Sequence, residues 1–218
     1  MASTLTRNRI PLIWGGRPVL VIGSGPSLRP EDIEAAKAAG LPTIGCNDNF
    51  VFNPDVLYVA DPPWVDANLE CQSHPDKWTV SESIAEKYPD AGWNCIQVEV
   101  TGGKAGLSFD PYMVHHGFNA GYQMLNWAML AGAKKIILTG YDMQPDGERM
   151  RWRGRHPGGV EKGGAEKFAK WRAKFATTVP DLASAGVEVI NCTRSTALEC
   201  FPVAALSDTL AACGNDSI

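Results

Sequence analysis

Short hydrophobic runs alternate with amphipathic segments along most of this chain. Residues 19–22 read VLVI and residues 134–140 read KKIILTG, and both runs are rich in β-branched side chains. Continuous runs of this kind are typical of strands that are covered on both faces, as in a parallel sheet. The order of elements predicts an α/β fold with a mostly parallel sheet and helices on both faces. Further strands are predicted at 42–46, 56–60, 94–100 and 187–192, and helices at 30–39, 119–130, 166–177 and 203–212.

The segments between these elements indicate one domain with short flanking pieces. Residues 1–17 predict an irregular N-terminal arm, residues 18–213 a single domain, and residues 214–218 a tail. Residues 143–163 are polar, basic and rich in glycine, and they follow the strand that ends before Asp142. We expect this segment to be a lid-like loop inserted beside the site.

Composition and charge narrow the range of partners. The chain has 218 residues and a net charge of −4, so it offers no overall basic field for binding a nucleic-acid backbone. Its six cysteines form no CxxC pair, which is typical of buried thiols in a reducing cytosol. The sequence shows neither a signal peptide nor an apolar run of about 20 residues, so we expect a cytoplasmic protein without a membrane partner.

Polar residues follow nearly every predicted strand. In open parallel sheets, ligands bind beyond the carboxyl ends of the strands, so these positions are candidates for a site. They are Ser24, Ser27, Asn47, Asp61, Tyr141, Asp142, Thr193 and Ser195.

The turn after the first strand carries the strongest of these signals. Glycines let a backbone turn sharply and approach a ligand closely, and free N–H groups at a helix start attract anions. The turn therefore predicts a seat for phosphate oxygens, and Ser27 is also a candidate for capping the helix that opens at Pro30. Because the turn matches neither the GxGxxG motif nor a P-loop, a plain strand-to-helix connection is the alternative. Its residues are Gly23, Ser24, Gly25, Pro26 and Ser27.

Three further places carry groups that suit a nucleotide. Asn47 offers a donor and an acceptor for a base edge or a ribose, with a turn residue as the alternative. Asn119, Ala120 and Gly121 open a helix with room for a ligand, and a helix cap is the alternative. Asp142 lies just past a strand, where a carboxylate binds ribose or metal or serves as a structural cap.

The predicted lid contains a run of basic residues. Arginine binds phosphate bidentately, so this run is suited to neutralising phosphates. Histidine titrates near neutrality when unperturbed, which makes His156 the candidate general base. A solvated basic loop is the alternative. The run consists of Arg149, Arg151, Arg153, Arg155 and His156.

Together these segments resemble the single-domain bacterial sialyltransferases, which have a Rossmann-like fold. The shared features are GSGPSL at 23–28, CN at 46–47 and GAKKIILTGYDM at 132–143. The chain is also similar to the hydroxymethylpterin pyrophosphokinase and motility accessory factor family, and most of all to phage-encoded relatives. The phage-type features are NAGYQ at 119–123, HP at 156–157 and NCTRSTALECFP at 191–202.

The sialyltransferase resemblance implies a nucleotide-sugar donor and no metal. It makes His156 the base that deprotonates an acceptor hydroxyl. The chain departs from the family pattern at Ser24, where the family has Asn, and at Ala120, where it has Ser, and the family's paired tyrosines are not recognisable. The implied donor site comprises Gly23, Ser24, Gly25, Pro26, Ser27, Asn47, Asn119, Ala120, Gly121, Gly140 and Asp142.

The pyrophosphokinase resemblance implies a different chemistry at the same place. It requires ATP with Mg²⁺, with Asp61 or Asp142 as metal ligands. Both reactions pass an activated, phosphate-linked group to a hydroxyl, so both need an anion site and a base.

The sequence thus favours a glycosyltransferase-like enzyme that uses a CMP-sugar-like or other NDP-sugar donor. The acceptor is a small molecule or a modified phage nucleotide or DNA base, and a phage-encoded protein would act in the host cytoplasm. A Mg²⁺-dependent diphosphokinase and a non-catalytic nucleotide-binding protein are the alternatives, and homo-oligomerisation stays open. The catalytic candidates are His156 and Asp142. Asp61, Arg153, Arg155, Thr193 and Ser195 complete the candidate binding residues.

Overall fold

The computed structural model describes residues 6–99, 104–154 and 164–215. Its strands are β1 (Pro18–Ile22), β2 (Thr43–Cys46), β3 (Val56–Tyr58), β4 (Lys77–Thr79), β5 (Asn94–Cys95), β6 (Gln97–Glu99), β7 (Met113–His115), β8 (Lys135–Thr139) and β9 (Glu188–Asn191). Its α-helices are α1 (Pro30–Ala38), α2 (Pro62–Ala67), α3 (Glu82–Lys87), α4 (Ala120–Leu130), α5 (Ala165–Ala176), α6 (Val179–Ser184) and α7 (Leu206–Asn215). None of the helices in these ranges is both long enough and apolar enough to cross a bilayer.

The central feature is a sheet of seven parallel strands. Its order is β5–β4–β3–β2–β1–β8–β9, which confirms the predicted Rossmann-like α/β fold. In β1, Ile22 lies beside Gly45 of β2 on one side and beside Thr139 of β8 on the other. The chain crosses one half of the sheet from β1 to β5 and then adds β8 and β9 to the other half. Strand order therefore reverses between β1 and β8, and ligands of such folds bind at that reversal.

Side chains of the sheet alternate between two helical layers. Val19 and Val21 of β1 pack in the same buried cluster as Trp127 of α4. Leu20 and Ile22 pack in a second cluster, with residues of α1 and α7. This alternation follows from the two-residue period of a strand, and burial of both faces explains why β1 is apolar throughout.

Two predicted elements differ from the structure by more than two residues. The prediction of a single strand at 94–100 is wrong, because the buried Ile96 belongs to no strand and separates two short ones. β5 joins the large sheet, whereas β6 pairs with β7 in a separate two-stranded sheet. The helix predicted at 203–212 begins only at Leu206, since Val203 first forms a β-bridge with Asn191. β4 and β7 were not predicted, because neither of these three-residue strands is continuously apolar, unlike β3.

Residues 6–17 contain neither helix nor strand, but they pack against the domain. Ile10 and Trp14 are buried in the core, and the Trp14 ring lies 5.1 Å from that of Trp127. The Asn8 N–H donates to the Cys95 carbonyl at 2.7 Å. The arm thereby covers the outer edge of β5, which would otherwise expose unpaired backbone groups.

Candidate functional site

A cavity of about 350 Å³ opens at the carboxyl ends of β1 and β8, where strand order reverses. The residues that follow β1, β2 and β8 and those that open α4 form its walls, as predicted from the sequence. The predicted residues that line it are Gly23, Ser24, Gly25, Pro26, Asn47, Asp61, Asn119, Ala120, Gly121, Gly140, Tyr141, Asp142 and Arg151. Its other lining residues are Cys46, Ala60, Phe118, Met143, Gln144, Met150, Lys167, Phe168 and Trp171.

The glycines of the first turn allow two pieces of backbone to meet. The Gly23 N–H donates to the Thr139 carbonyl at 2.7 Å, and the Gly25 N–H donates to the Gly140 carbonyl at 2.8 Å. A Cβ at Gly23 would overlap the Gly140 carbonyl, and one at Gly25 would overlap the Asp142 carboxylate. The glycines are therefore required for the approach of the β1 turn to the β8 turn.

Asp142 occupies the position that the sequence assigned to a ligand anion. Its Oδ1 accepts from the Ser27 N–H at 2.8 Å. The predicted phosphate seat of backbone amides is therefore corrected at Gly25 and Ser27, because both of these N–H groups donate within the protein. The predicted capping role of Ser27 is also wrong, because α1 begins after Arg29 and has no side-chain cap.

The environment of Asp142 is largely dehydrated. The residue is 2% exposed, and its Oδ2 has no hydrogen-bond partner among the described residues. Burial raises the pKa of this carboxyl above its ordinary value of 3.8, although the hydrogen bond from Ser27 opposes the shift. Asp142 is consequently a weaker acid than a surface aspartate, in the wall of the cavity.

Asn119 acts as the cap of α4. Its Oδ1 accepts from the Tyr122 N–H at 2.9 Å, and its Nδ2 donates to the Gly117 carbonyl at 3.3 Å. The cap interpretation is thus confirmed for this side chain. Gly121 lies against the Tyr141 ring, and the Tyr141 hydroxyl donates to the Gly121 carbonyl at 3.0 Å. This contact fixes the start of α4 against the residues that follow β8.

Several predicted site residues lie away from the cavity. Thr193 is buried behind the cavity wall, where its Oγ1 accepts from the Tyr141 N–H at 2.9 Å. Ser195 is exposed and accepts from Gln144 at 3.1 Å, and Arg153 is exposed and absent from the lining. The predicted base His156 and the predicted phosphate ligand Arg155 lie outside the described residues.

The sequence did not identify the α5 side of the cavity. Lys167, Phe168 and Trp171 come from this helix, and the Lys167 Nζ lies 4.7 Å from the centre of the Trp171 ring. Residues four apart share a face of a helix, so Lys167 and Trp171 reach the cavity from the same face of α5. No local signal indicated that this face meets the ends of β1 and β8.

The described part of the predicted lid is attached to the first turn by Trp152. Its backbone N–H donates to the Ser24 carbonyl at 3.2 Å, and its indole N–H donates to Asn49 at 3.0 Å. Its ring stacks on Phe52 with the centroids 4.9 Å apart. This attachment places the neighbouring Arg151 in the cavity wall.

Non-glycine residues with left-handed backbone are concentrated at the cavity. Four described non-glycine residues have positive φ, and Asn47 (49°), Phe118 (64°) and Met143 (51°) among them line the cavity. The fourth, Asn53, does not. Such conformations are costly for non-glycine residues and tend to occur at functional sites. The structure thus supports a site here independently of the motifs.

Asp61 and Asp142 are the candidate metal ligands in the cavity wall. Within residues 6–99, 104–154 and 164–215, no three His, Cys, Asp or Glu side chains are grouped in a way that could hold a metal ion. Asp61 and Asp142 both line the cavity, so any Mg²⁺ there would draw its remaining ligands from the substrate's phosphates and water.

Comparisons with known proteins add no functional information. No family model matches the chain, and a search of curated proteins finds no match. One similarity among solved structures is to an uncharacterized protein from Listeria monocytogenes EGD-e, with 10% identity and a TM-score of 0.20. The match covers 90% of this chain but only 23% of that protein, so this chain spans less than a quarter of its length.

Proposed function

We propose that this protein is a transferase that binds a nucleotide-activated donor in the cavity between β1 and β8 and passes the activated group to an acceptor hydroxyl. The observation that carries the proposal is the position of the cavity at the reversal of strand order. Doubly wound α/β folds bind nucleotides at this place. The volume of the cavity, about 350 Å³, lies in the range of small-molecule sites.

The side chains of the wall match the parts of a nucleotide. Arg151 and Lys167 supply positive charge for binding phosphate. In this proposal they take the place of the backbone amides to which the sequence assigned that role. Phe118 and Trp171 add aromatic surface to the wall, which suits a planar base. Asp61 offers carboxylate oxygens that suit ribose hydroxyls.

The proposed step is a displacement at the activated centre of the donor. The acceptor oxygen forms the new bond as its proton passes to a general base, and the bond to the donor's phosphate oxygen breaks. The leaving phosphate keeps the electron pair, and Arg151 and Lys167 stabilise its charge. The base assigned from the sequence, His156, stays a prediction, because it lies outside the described residues.

Nucleotide binding is tested first. Thermal shift and calorimetry with CMP, CDP, UDP, ADP, GDP and ATP, each with and without Mg²⁺, should show a ligand that raises the melting temperature by mass action. Release of the free nucleotide from the matching nucleotide sugar then tests turnover. Binding of ATP only with Mg²⁺, followed by AMP release, would instead support a diphosphokinase. The absence of binding by every nucleotide would overturn the proposal.

Two arginines provide a matched pair of variants. Arg151→Ala should weaken nucleotide binding by about tenfold or more, since a charge-assisted hydrogen bond contributes roughly 1.5–3 kcal/mol. Arg153→Ala should leave the affinity unchanged, because Arg153 is exposed outside the cavity. Equal losses in both variants would indicate a general electrostatic effect of the loop and would contradict the proposed phosphate site.

A further inference from the structure

Phe118 combines an aromatic side chain with a backbone conformation that favours glycine. Its φ is 64°, its side chain is 49% exposed, and it lines the cavity beside the start of α4. A large apolar residue is normally placed in the left-handed region only when its surroundings impose that conformation. Because the ring is half exposed, the buried core does not explain the choice of phenylalanine.

The neighbouring residues hold the Phe118 ring at the cavity rim. Gly117, with φ of 55°, begins the turn, and a Cβ there would overlap the Tyr122 ring. The Phe118 N–H donates to the His116 Nδ1 at 3.1 Å, and the two rings meet edge to face at 5.3 Å. The Lys174 Nζ lies 5.5 Å from the ring centre. The contacts with His116 and Lys174 therefore hold both the turn and the Phe118 ring in place.

The backbone of this turn does not require a phenylalanine. Glycine or asparagine adopts a positive φ at lower cost, and either would preserve the connection to the Asn119 cap. What the phenylalanine adds is one exposed aromatic face on the cavity wall. Aromatic faces bind nucleobases by stacking, with little dependence on the identity of the base.

We propose that Phe118 is the stacking surface for the planar base of the nucleotide bound in this cavity, an inference that rests on the proposed function. Arg151 and Lys167 would then hold the phosphates. The base and the phosphates of the ligand would be bound by separate groups. A substitution can therefore weaken binding of the base without weakening binding of the phosphates.

Calorimetry on Phe118→Gly tests the inference, with the tightest-binding nucleotide of CMP, CDP, UDP, ADP and GDP as the probe. Loss of one base–aromatic stack should weaken binding roughly 5- to 150-fold. Inorganic pyrophosphate, which has no ring, should bind the variant and the wild type equally. Phe118→Tyr should keep nearly all of the nucleotide affinity, since it keeps the ring.

Asn53→Gly is the matched control for the backbone. Asn53 has a φ of 46° but lies outside the cavity, so this variant relieves a similar conformation and should leave nucleotide affinity unchanged. Both glycine variants should melt within a few degrees of the wild type, because glycine suits a positive φ. Full nucleotide affinity in Phe118→Gly, or an equal loss for pyrophosphate, would overturn the inference. If the wild type bound pyrophosphate but no nucleotide, the proposed function would fail with it.

Discussion

At the scale of single residues, the most informative side chain is Asp142. It lies just past β8, accepts a hydrogen bond from the Ser27 N–H, and is buried in the wall of the cavity. A protein anion thus lies where the sequence predicted a ligand anion. A phosphate bound nearby would have to be held against this negative charge, and the proposed phosphate ligands Arg151 and Lys167 lie in the same wall.

The raised pKa of Asp142 makes a prediction about stability and pH. Burial disfavours the charged carboxylate, so the folded-state pKa lies above the unfolded one. Ionised Asp142 therefore destabilises the fold above its folded-state pKa, and this penalty disappears below the ordinary value of 3.8. Asp142→Asn should raise the melting temperature at pH 7, and the gain should shrink as the pH falls toward 4.

Melting curves of the two proteins between pH 4 and pH 8 measure this effect. Asp146→Asn is the control, because Asp146 is an exposed carboxylate paired with Arg149 on the same loop. It should change the pH profile little. A gain for Asp142→Asn that is the same at every pH, or a loss at pH 7, would contradict the role given to burial.

At the scale of elements, Trp152 connects the segment after β8 to the turn after β1. Its two hydrogen bonds and its stack on Phe52 are made 100 or more residues away in sequence. The sequence predicted a lid-like loop here from polar, basic and glycine-rich composition. Composition alone does not reveal one large side chain that fixes part of such a loop.

Graded substitutions at Trp152 test this attachment. Trp152→Phe keeps a ring on Phe52 but removes the bond to Asn49, which should lower the unfolding free energy by about 1 kcal/mol. Trp152→Ala removes both contacts and should free the neighbouring Arg151. Trypsin should then cut at the arginines of residues 149–153 faster in the order wild type, Trp152→Phe, Trp152→Ala. Equal cleavage rates in all three proteins would show that Trp152 does not restrain the segment.

Elements with a strong local pattern were predicted well from the sequence, and elements that depend on tertiary contacts were not. β1 and β8 are continuous apolar runs and α4 opens at a clear cap, so all three were predicted to within one or two residues. β4, by contrast, contains Lys77, whose Nζ donates to the His74 carbonyl at 2.8 Å. A three-residue segment that contains a lysine has the sequence pattern of a loop. The hydrogen bond that allows this lysine to be buried is visible only in the folded structure.

At the scale of the whole molecule, the topology explains which parts of the site the sequence could show. Parallel strands bring their carboxyl ends to one edge, so residues that follow β1, β2 and β8 meet without any knowledge of side-chain contacts. The pairing of Ser27 with Asp142 joins residues 115 apart, and no local pattern specifies it. Phe118 and Lys167 were missed for the same reason: their roles depend on how the loops and helices pack around that edge.

The N-terminal arm provides the last test, because its sequence predicted an irregular segment and gave no sign that the arm contributes to the core. Trp14 is buried, and its ring meets Trp127 edge-on at 5.1 Å, beneath α4, whose first residues form a wall of the cavity. Trp14→Ala should lower the unfolding free energy by about 3–5 kcal/mol in urea denaturation, the usual cost of emptying a buried tryptophan site. Leu12→Ala, two residues away and 67% exposed, should cost less than about 0.5 kcal/mol. Similar small losses in both variants would show that the arm lies on the surface of the domain and contributes nothing to the core that supports α4.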